Sequence, residues 1–384
     1  MRRTDFRARI GHGLVGLTAS TCVTIAITGG AAVTAAGPSP SHASNETIMF
    51  ALSAGGSAVT ELMLVGADGA GLRQLELPKN YDCCAALSPS ATRISIGVDT
   101  PDQRVTSAIL DIAGGTTHEI PLDDLDPGSS RAMGVWITDK LATIEVWDDA
   151  APAHTGMFVG DPMDPPTIHR LTTTPDGGQE IPIAVSPDLS RIAFVRTRPQ
   201  AEAGTLHVVG MDGQDEHLVG PPDVMLNLDS GWGTPASWSP DGSRIAFTNN
   251  GCGCEVWVSD VDGTHPQRIF SSPGLIFGAH WSPDGRWIAF ESTPPDSTSD
   301  EVMIIHPDGT GLQQVTTGAD GNGSWDPVWS PDGSRLVFQH GSGAGGGDAV
   351  SLWTSNVDGS DLAPLTDNIG HYEWVEWGPS LGGR

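Results

Sequence analysis

The sequence is poor in positive charge. Its 384 residues contain 19 Lys and Arg against 47 Asp and Glu, so the formal net charge at pH 7 is −28. A surface of this sign repels nucleic acid and anionic lipid. We therefore expect no nucleic-acid partner, and membrane contact only through a possible uncleaved N-terminal segment.

Helix-like periodicity is also lacking. The nucleophile-elbow sequence of α/β-hydrolases, G-x-S-x-G, matches at residues 378–382, but no helix-like periodicity accompanies it, as the strand–turn–helix of such an elbow requires. The chain is instead rich in turn-forming residues, with 49 Gly and 29 Pro. This composition predicts many short strands joined by turns, and an all-β fold without a helical domain.

The N-terminus predicts export. Four arginines lie within residues 1–9, and residues 10–45 then carry no Asp, Glu, Lys or Arg. A basic segment followed by an uncharged apolar one is typical of a signal peptide, although the run is also long enough for an uncleaved anchor. We expect a signal or anchor over 1–36, a linker over 37–46 and one domain over 47–384, placed outside the cytoplasm.

One ten-residue segment recurs along that domain. It reads WSPDGSRIAF at 238–247, WSPDGRWIAF at 281–290 and WSPDGSRLVF at 329–338, with weaker copies at 185–194 and 87–96. Pro-Asp-Gly between apolar runs favours a tight turn, and the following residues have strand composition. Each copy therefore predicts an antiparallel hairpin.

The spacing of the copies predicts β-propeller blades. Neighbouring copies lie 43 to 53 residues apart, and a gap of twice that length has room for a degenerate copy near residue 137. A second Gly turn and a short fourth strand follow each hairpin, as four-stranded blades require. Residues 47–77 lack a first strand and residues 373–380 supply one, so the two ends should close the ring. We expect about seven blades, with six possible.

The series WSPDGSRIAF…EVWVSDVDGTHPQRI resembles the propeller repeats of the TolB family. The resemblance extends over nearly all of the chain after residue 46 and implies a β-propeller. TolB proteins carry an α/β domain ahead of the propeller that contacts other Tol components, and we expect no such domain here because the repeats begin soon after the export signal. The repeats also occur in peptidase propellers, lyases and binding proteins, so the resemblance implies a fold more than an activity.

The repeated polar and aromatic residues are each explained by a structural role. Asp188, Asp241, Asp284 and Asp332 suggest metal binding or acid–base chemistry, but one copy in each blade favours a turn role. Asp260-x-Asp262-Gly263 resembles part of a calcium loop and is also more typical of a turn. The repeated tryptophans at 238, 281, 329 and 377 predict packing between blades.

Four cysteines in the exported part predict disulfides. Cys83 and Cys84 precede the first strand of the second blade, and Cys252 and Cys254 lie in the fifth. Exported thiols are normally oxidised, so each pair could close locally, or the pairs could cross-link. A soft-metal site or a redox-active pair are the alternatives. We expect no other metal site and no cofactor.

The loops that lead into the first strands carry residues that break the repeat. In a propeller these loops surround one mouth of the central channel, where mixed charges and aromatics suit a ligand or peptide. His280 is the most distinctive, since its equivalents are Ala86, Ala184, Ser237 and Val328. The candidate ligand-binding residues are Asp82, Arg131, Glu180, Trp232, His280, Trp325, Asp326, His371 and Tyr372.

Three functions remain open from the sequence. The first is a non-catalytic module that binds a protein, peptide or envelope glycan at the channel mouth. The second is a lyase or hydrolase acting on glycans, with His280 or His371 and Asp326 as acid–base groups or metal ligands. The third is a scaffold within an envelope assembly. No catalytic residue is assigned for the first reading.

Overall fold

The chain folds as a ring of small antiparallel sheets. The structure is a computed structural model that describes residues 47–53, 60–99, 105–120, 130–147, 155–174, 178–199, 201, 203–227, 235–249, 254–294, 299–318, 321–342, 350–367 and 371–378. In chain order its strands are β1 (Thr47–Ser53), β2 (Thr60–Gly66), β3 (Arg73–Gln74), β4 (Tyr81–Leu87), β5 (Arg93–Asp99), β6 (Val105–Asp111), β7 (Thr117–Glu119), β8 (Ser130–Trp136), β9 (Ala142–Trp147), β10 (Gly156–Gly160), β11 (His169–Arg170), β12 (Glu180–Val185), β13 (Arg191–Thr197), β14 (Ala203–Gly210), β15 (His217–Leu218), β16 (Leu226–Asn227), β17 (Ala236–Trp238), β18 (Arg244–Asn249), β19 (Glu255–Asp260), β20 (Gln267–Ser271), β21 (Ile276–Trp281), β22 (Ile288–Ser292), β23 (Glu301–Ile305), β24 (Gln313–Gln314), β25 (Gly323–Trp329), β26 (Arg335–Gly341), β27 (Val350–Asn356), β28 (Ala363–Pro364) and β29 (His371–Gly378). One 3-10 turn, Pro165–Thr167, lies between β10 and β11.

These strands form seven blades, which confirms the predicted all-β propeller. Blade 1 has the order β29-β1-β2-β3, and blades 2 to 7 begin at β4, β8, β12, β17, β21 and β25. Six sheets have four strands, whereas blade 4 adds β16 beside β14, a fifth strand that the repeat pattern did not predict. First strands of adjacent blades contact one another, so they form the inner ring.

The C-terminal strand closes the ring as predicted. β29 pairs antiparallel with β1 from Thr47↔Gly378 to Ser53↔His371, with one irregularity between Ala51 and Leu52. Val375 of β29 is buried in a cluster with Ile48, Phe50 and Trp325. The first and last described strands therefore belong to the same sheet and the same core.

The repeated Asp-Gly segment is a hydrogen-bonded turn. In blade 5 the Ser239 hydroxyl donates to Asp241 Oδ1 at 2.6 Å and its Oγ accepts the N–H of Arg244 at 2.9 Å. Gly242 has a φ of +68°, which glycine adopts without a Cβ clash. The Ser239 hydroxyl and the turn N–H of Ser243 lower the pKa of Asp241 to about 2, so the carboxylate is committed to its own turn.

The segment Asp260-x-Asp262-Gly263, which resembles part of a calcium loop, is also a hydrogen-bonded turn. Asp262 Oδ1 accepts hydrogen bonds from the Thr264 N–H at 2.9 Å and from its hydroxyl at 2.6 Å. Asp308 and Asp358 repeat this geometry with the next residue but one. Among the described residues, no group of three or more His, Cys, Asp and Glu could hold a metal ion.

The tryptophans join neighbouring blades, as the sequence predicts. The indole N–H of Trp238 donates to the Ala184 carbonyl of blade 4, at 3.3 Å. Trp329 reaches the His280 carbonyl of blade 6 at 2.9 Å, and Trp136 reaches Ala86 of blade 2 at 3.1 Å. Each bond connects the end of one inner strand to the inner strand that precedes it.

In the part of the chain that the structure describes, no helix is long and apolar enough to span a membrane.

Candidate functional site

The first strands begin at one mouth of the channel, here called the upper mouth, and end at the repeated Asp-Gly turns, here called the turn face. The structure differs from the sequence prediction in one respect: the candidate residues lie within first strands and not in the loops before them. They occupy β4 (Asp82), β8 (Arg131), β12 (Glu180), β25 (Trp325 and Asp326) and β29 (His371 and Tyr372). Trp232 lies outside the described residues.

His280 is separated from the other candidates. It is the fifth residue of β21, next to Trp281, and therefore lies towards the turn face. Its Nε2 is buried without a hydrogen-bond partner among the described residues, and burial lowers the pKa of the imidazole to about 4. Gly278, with a φ of +64°, leaves room for the ring, because a Cβ there would lie 3.0 Å from Nε2. His280 is thus a neutral inner-strand side chain at neutral pH.

Glu180 is a structural ion-pair partner. It has no exposed surface, and its carboxylate accepts hydrogen bonds from Nε of Arg196 at 2.8 Å, from Nη2 of the same side chain and from the Thr172 hydroxyl. Arg196 in turn contacts Glu216, with Nη1 2.5 Å from Oε1. The network joins blade 3, which carries Thr172, to inner and outer strands of blade 4.

Glu145 approaches this network from the second strand of blade 3. It was not predicted from the sequence to be a site residue. Burial of its carboxyl group raises the pKa to about 8, and the negative charge of Glu180 adds to the shift. Glu145 therefore retains a proton at neutral pH, beside a carboxylate that is already paired.

Asp326 belongs to a second buried acidic group, at the contact between blades 6 and 7. It is 4% exposed, and burial raises its pKa to about 6. Its carboxylate accepts hydrogen bonds from Gln339 Nε2 at 3.3 Å and from the backbone N–H of Val375 in blade 1. Its own N–H donates to Glu291 Oε2 at 3.2 Å, so Asp326 connects three blades.

Glu291 has the most perturbed environment in this group. It is 3% exposed, and burial together with the nearby charges of Asp300 and Asp326 raises its pKa well above the ordinary value. The Thr293 hydroxyl donates to Asp300. Burial and these neighbouring charges therefore favour the protonated form of Glu291 in the folded state.

Trp325 is a core residue and not a surface contact. It is 1% exposed, lies in the cluster with Phe50 and Val375, and its indole N–H donates to Gln339 Oε1 at 3.1 Å. Its side chain therefore packs blade 7 against blade 1. From the sequence, an aromatic residue at this position was compatible with core packing and with ligand contact at the surface.

The two unpredicted glutamates share a signal in the sequence. Each directly follows the central hydrophobic residue of a second strand, Ile144 before Glu145 and Phe290 before Glu291. Ile144 and Phe290 pack with the preceding blade. Because side chains alternate along a strand, the glutamates face the following blade. An acidic residue at that repeat position indicates a carboxyl group at the contact between two blades.

The raised pKa of Glu291 predicts a pH-dependent stability. A carboxyl group protonated in the folded state stabilises the fold at acidic pH, and this contribution is lost as the pH rises above its ordinary pKa of 4.5. Glu291→Gln should therefore raise the free energy of unfolding at pH 8, on the order of 2 kcal/mol, and leave it nearly unchanged near pH 4. Chemical denaturation at both pH values measures the difference. The exposed residue Glu119 provides a control, as Glu119→Gln should have little effect at either pH. Equal stabilisation by Glu291→Gln at both pH values would contradict the prediction.

The predicted disulfides are not tested by the geometry. Cys83 and Cys84 lie inside β4 and not before it, and Cys254 precedes β19 with a φ of 48°. Cys252 lies outside the described residues. Both local and crossed pairing stay predictions.

The fold and these sites allow a comparison with known proteins. A family model described as the TolB beta propeller domain matches residues 181–381. No curated protein sequence matches the chain significantly. Among solved structures, TolB from Acinetobacter baumannii is similar with a TM-score of 0.52 and 17% identity, over 87% of this chain and 67% of that one.

Enzymes share the fold as well. An oligogalacturonate lyase in complex with manganese has a TM-score of 0.53 and 14% identity, over 82% of this chain and 83% of that one. A puromycin hydrolase mutant has a TM-score of 0.60 and 15% identity, over 85% of this chain but only 52% of the hydrolase. At these identities the similarity is one of fold, which both binding proteins and enzymes possess.

Proposed function

Because the chain belongs to the TolB β-propeller family, we propose that it is an exported binding module. Its upper mouth takes up a protein, a peptide or another component of the cell envelope, and the propeller itself carries out no chemistry there. Residues 1–36 direct export or anchor the chain, and the propeller acts outside the cytoplasm.

The main support for this proposal is that two charged candidate residues are already bound to other parts of the protein. Glu180 is held by Arg196 and Thr172, and Asp326 by Gln339 and the Val375 backbone. These side chains stabilise contacts between blades, so they support the mouth as a rigid platform. A rigid platform favours binding because little conformational entropy is lost on association.

The proposed contact residues are the remaining candidates at the same mouth. Asp82, Arg131, His371 and Tyr372 lie in the first halves of β4, β8 and β29. Blades 1, 2 and 3 are consecutive, so these positions form one sector of the rim. Trp232 is proposed for the same surface.

Affinity capture from envelope extract tests the proposal. Immobilised residues 37–384 should retain a defined partner, and the double variant Arg131→Glu, Tyr372→Ala should reduce its retention at least tenfold, the typical effect of losing interface anchors. Arg286→Gln, on the turn face, is the matched control and should retain the partner fully. Equal retention by all three proteins, or no specific retention by any, would contradict a binding role of the upper mouth.

One observation favours a glycan-active enzyme as the second candidate. A carboxylic acid with its pKa raised to about 8 beside a paired carboxylate, as in Glu145 and Glu180, is suited to general acid catalysis. The fold is shared with an oligogalacturonate lyase, which makes oligogalacturonate a sensible first substrate. Turnover by the purified protein that Glu145→Gln abolishes would support the enzyme in place of the binding module.

A further inference from the structure

A groove of about 300 Å³ lies on the turn face, where blade 5 meets blade 6. It is lined by Arg244, Gly285, Arg286, His306, Pro307 and Asp308. Arg244 begins the second strand of blade 5, and the other residues come from the two turns of blade 6. The groove is thus at the opposite end of the inner strands from the upper mouth.

The two arginines of the groove donate no side-chain hydrogen bond to the described residues. The Arg244 guanidinium lies over the Trp281 ring, with its central carbon 5.0 Å from the ring centre. Within the described residues neither Arg244 nor Arg286 donates a side-chain hydrogen bond or forms an ion pair, although the turn aspartates Asp241 and Asp284 lie near. Both therefore keep their donors available for a ligand.

The equivalent arginines of blades 2 and 7 contact the protein, whereas Arg191 of blade 4 forms no hydrogen bond or ion pair among the described residues. Arg93 of blade 2 donates to the Asp139 carbonyl at 3.1 Å, and Arg335 of blade 7 lies 3.7 Å from the Asp361 carboxylate. Trp281 also departs from its repeat, because its buried indole N–H has no hydrogen-bond partner among the described residues. The boundary of blades 5 and 6 therefore differs from those around it.

A local change in the repeat brings the second arginine into the groove. Where blades 5 and 7 read Ser-Arg after the turn glycine, blade 6 reads Arg286-Trp287. The Trp287 ring stacks on His306, with ring centres 3.9 Å apart, and His306 Nδ1 lies 2.8 Å from the Arg286 carbonyl oxygen. This contact fixes the backbone of Arg286. In blade 6 the arginine directly follows the turn glycine, one position earlier than Arg244 in blade 5 and Arg335 in blade 7, and its side chain is exposed.

The acidic residues nearby are occupied by their own turns. Asp308 Oδ1 accepts both the N–H and the hydroxyl of Thr310, at 2.9 and 2.7 Å. Asp284 Oδ1 accepts the Ser282 hydroxyl at 2.6 Å and the Arg286 N–H at 3.0 Å. Each of these carboxylates is therefore held by its own turn, and neither accepts a hydrogen bond from the side chain of Arg244 or Arg286.

We propose that this groove binds a small ligand through an oxyanion group, either a carboxylate or a phosphate. Guanidinium groups pair with both in bidentate geometry, and contact with the Trp281 ring positions the Arg244 guanidinium. The volume corresponds to the small end of ligand pockets. The net charge of −28 repels extended polyanions, so the ligand is compact and carries few charges.

Calorimetric titration at constant ionic strength tests the groove, with succinate and inorganic phosphate as probes. We expect saturable binding of at least one probe, weakened about tenfold or more by Arg244→Gln and by Arg286→Gln. Binding of succinate alone assigns a carboxylate ligand, and binding of phosphate alone assigns a phosphate. Arg191→Gln changes the equivalent of Arg244 in blade 4 and should leave the affinity unchanged.

Two results would overturn the proposal. One is the absence of saturable binding of either probe by the wild-type protein. The other is equal weakening by Arg191→Gln, which indicates an effect of overall charge. Thermal denaturation without ligand separates loss of binding from loss of folding, and the exposed Arg286 is the safer variant in this respect. The upper-mouth variant Arg131→Glu, Tyr372→Ala should bind the probes normally, so this test and that of the binding module fail independently.

Discussion

A chain that ends after Asp367 is expected to lose its cooperative fold. The deletion removes β29, and with it the pairing partner of β1 along Thr47–Ser53. It also opens the cluster that contains Ile48, Phe50 and Trp325, and removes the Val375 N–H from Asp326. The loss of this burial and of a whole strand pairing should lower the stability by more than about 5 kcal/mol, beyond the range of ordinary substitutions. The free edge of β1 should then promote association between chains.

Thermal denaturation and size-exclusion chromatography measure both effects. A chain that ends after Gly378 is the matched control, because it keeps every described strand, and it should behave like the wild type. A monomeric protein with an unchanged melting temperature after removal of residues 368–384 would show that ring closure by β29 contributes little.

Replacing Arg196 should have the largest effect of any single substitution proposed here. Arg196→Met leaves Glu180 fully buried without its cationic partner, next to the carboxyl group of Glu145. Removing one member of a buried ion pair typically costs about 3–5 kcal/mol. The same change also releases Glu216. Urea denaturation of the two proteins at neutral pH gives the difference.

Two further variants make the result specific to the ion pair. Arg198→Met alters an exposed arginine two residues away and should change the stability by less than about 0.5 kcal/mol. The double variant Arg196→Met, Glu180→Gln should recover much of the loss, because the uncompensated buried charge is gone. A loss that the second substitution leaves unchanged would assign the effect to the packing of the arginine stem.

Much of the fold was predictable because its determinants are local. The residues of a Pro-Asp-Gly turn hydrogen-bond to one another, as Ser239 and Asp241 do. The conformation of each copy can therefore be predicted from its local sequence alone. Ring closure could also be inferred, since residues 47–77 lack a first strand and residues 373–380 supply one. Even the degenerate third blade was correctly located, with β8 ending at Trp136 and β9 beginning at Ala142.

The site was less predictable because its polar residues act between blades. Glu180 and Asp326 looked like mouth residues, yet their partners include Thr172 of blade 3 and the backbone of Val375 in blade 1. Asp326 adopts a φ of +54°, at an irregularity of β25 that strand alternation does not anticipate. Glu145 and Glu291 were missed since burial of a carboxyl group depends on the neighbouring sheet, which the repeat alone does not describe.

The indole hydrogen bonds between inner strands all point in one direction along the chain. Trp136, Trp238 and Trp329 each donate to a carbonyl of the blade that was synthesised before their own. A newly formed blade can therefore dock on its predecessor as soon as it emerges, without waiting for later sequence. Growth in this order leaves β1 without its partner until the very end. We therefore expect a late folding step, in which β29 pairs with β1 and closes the ring.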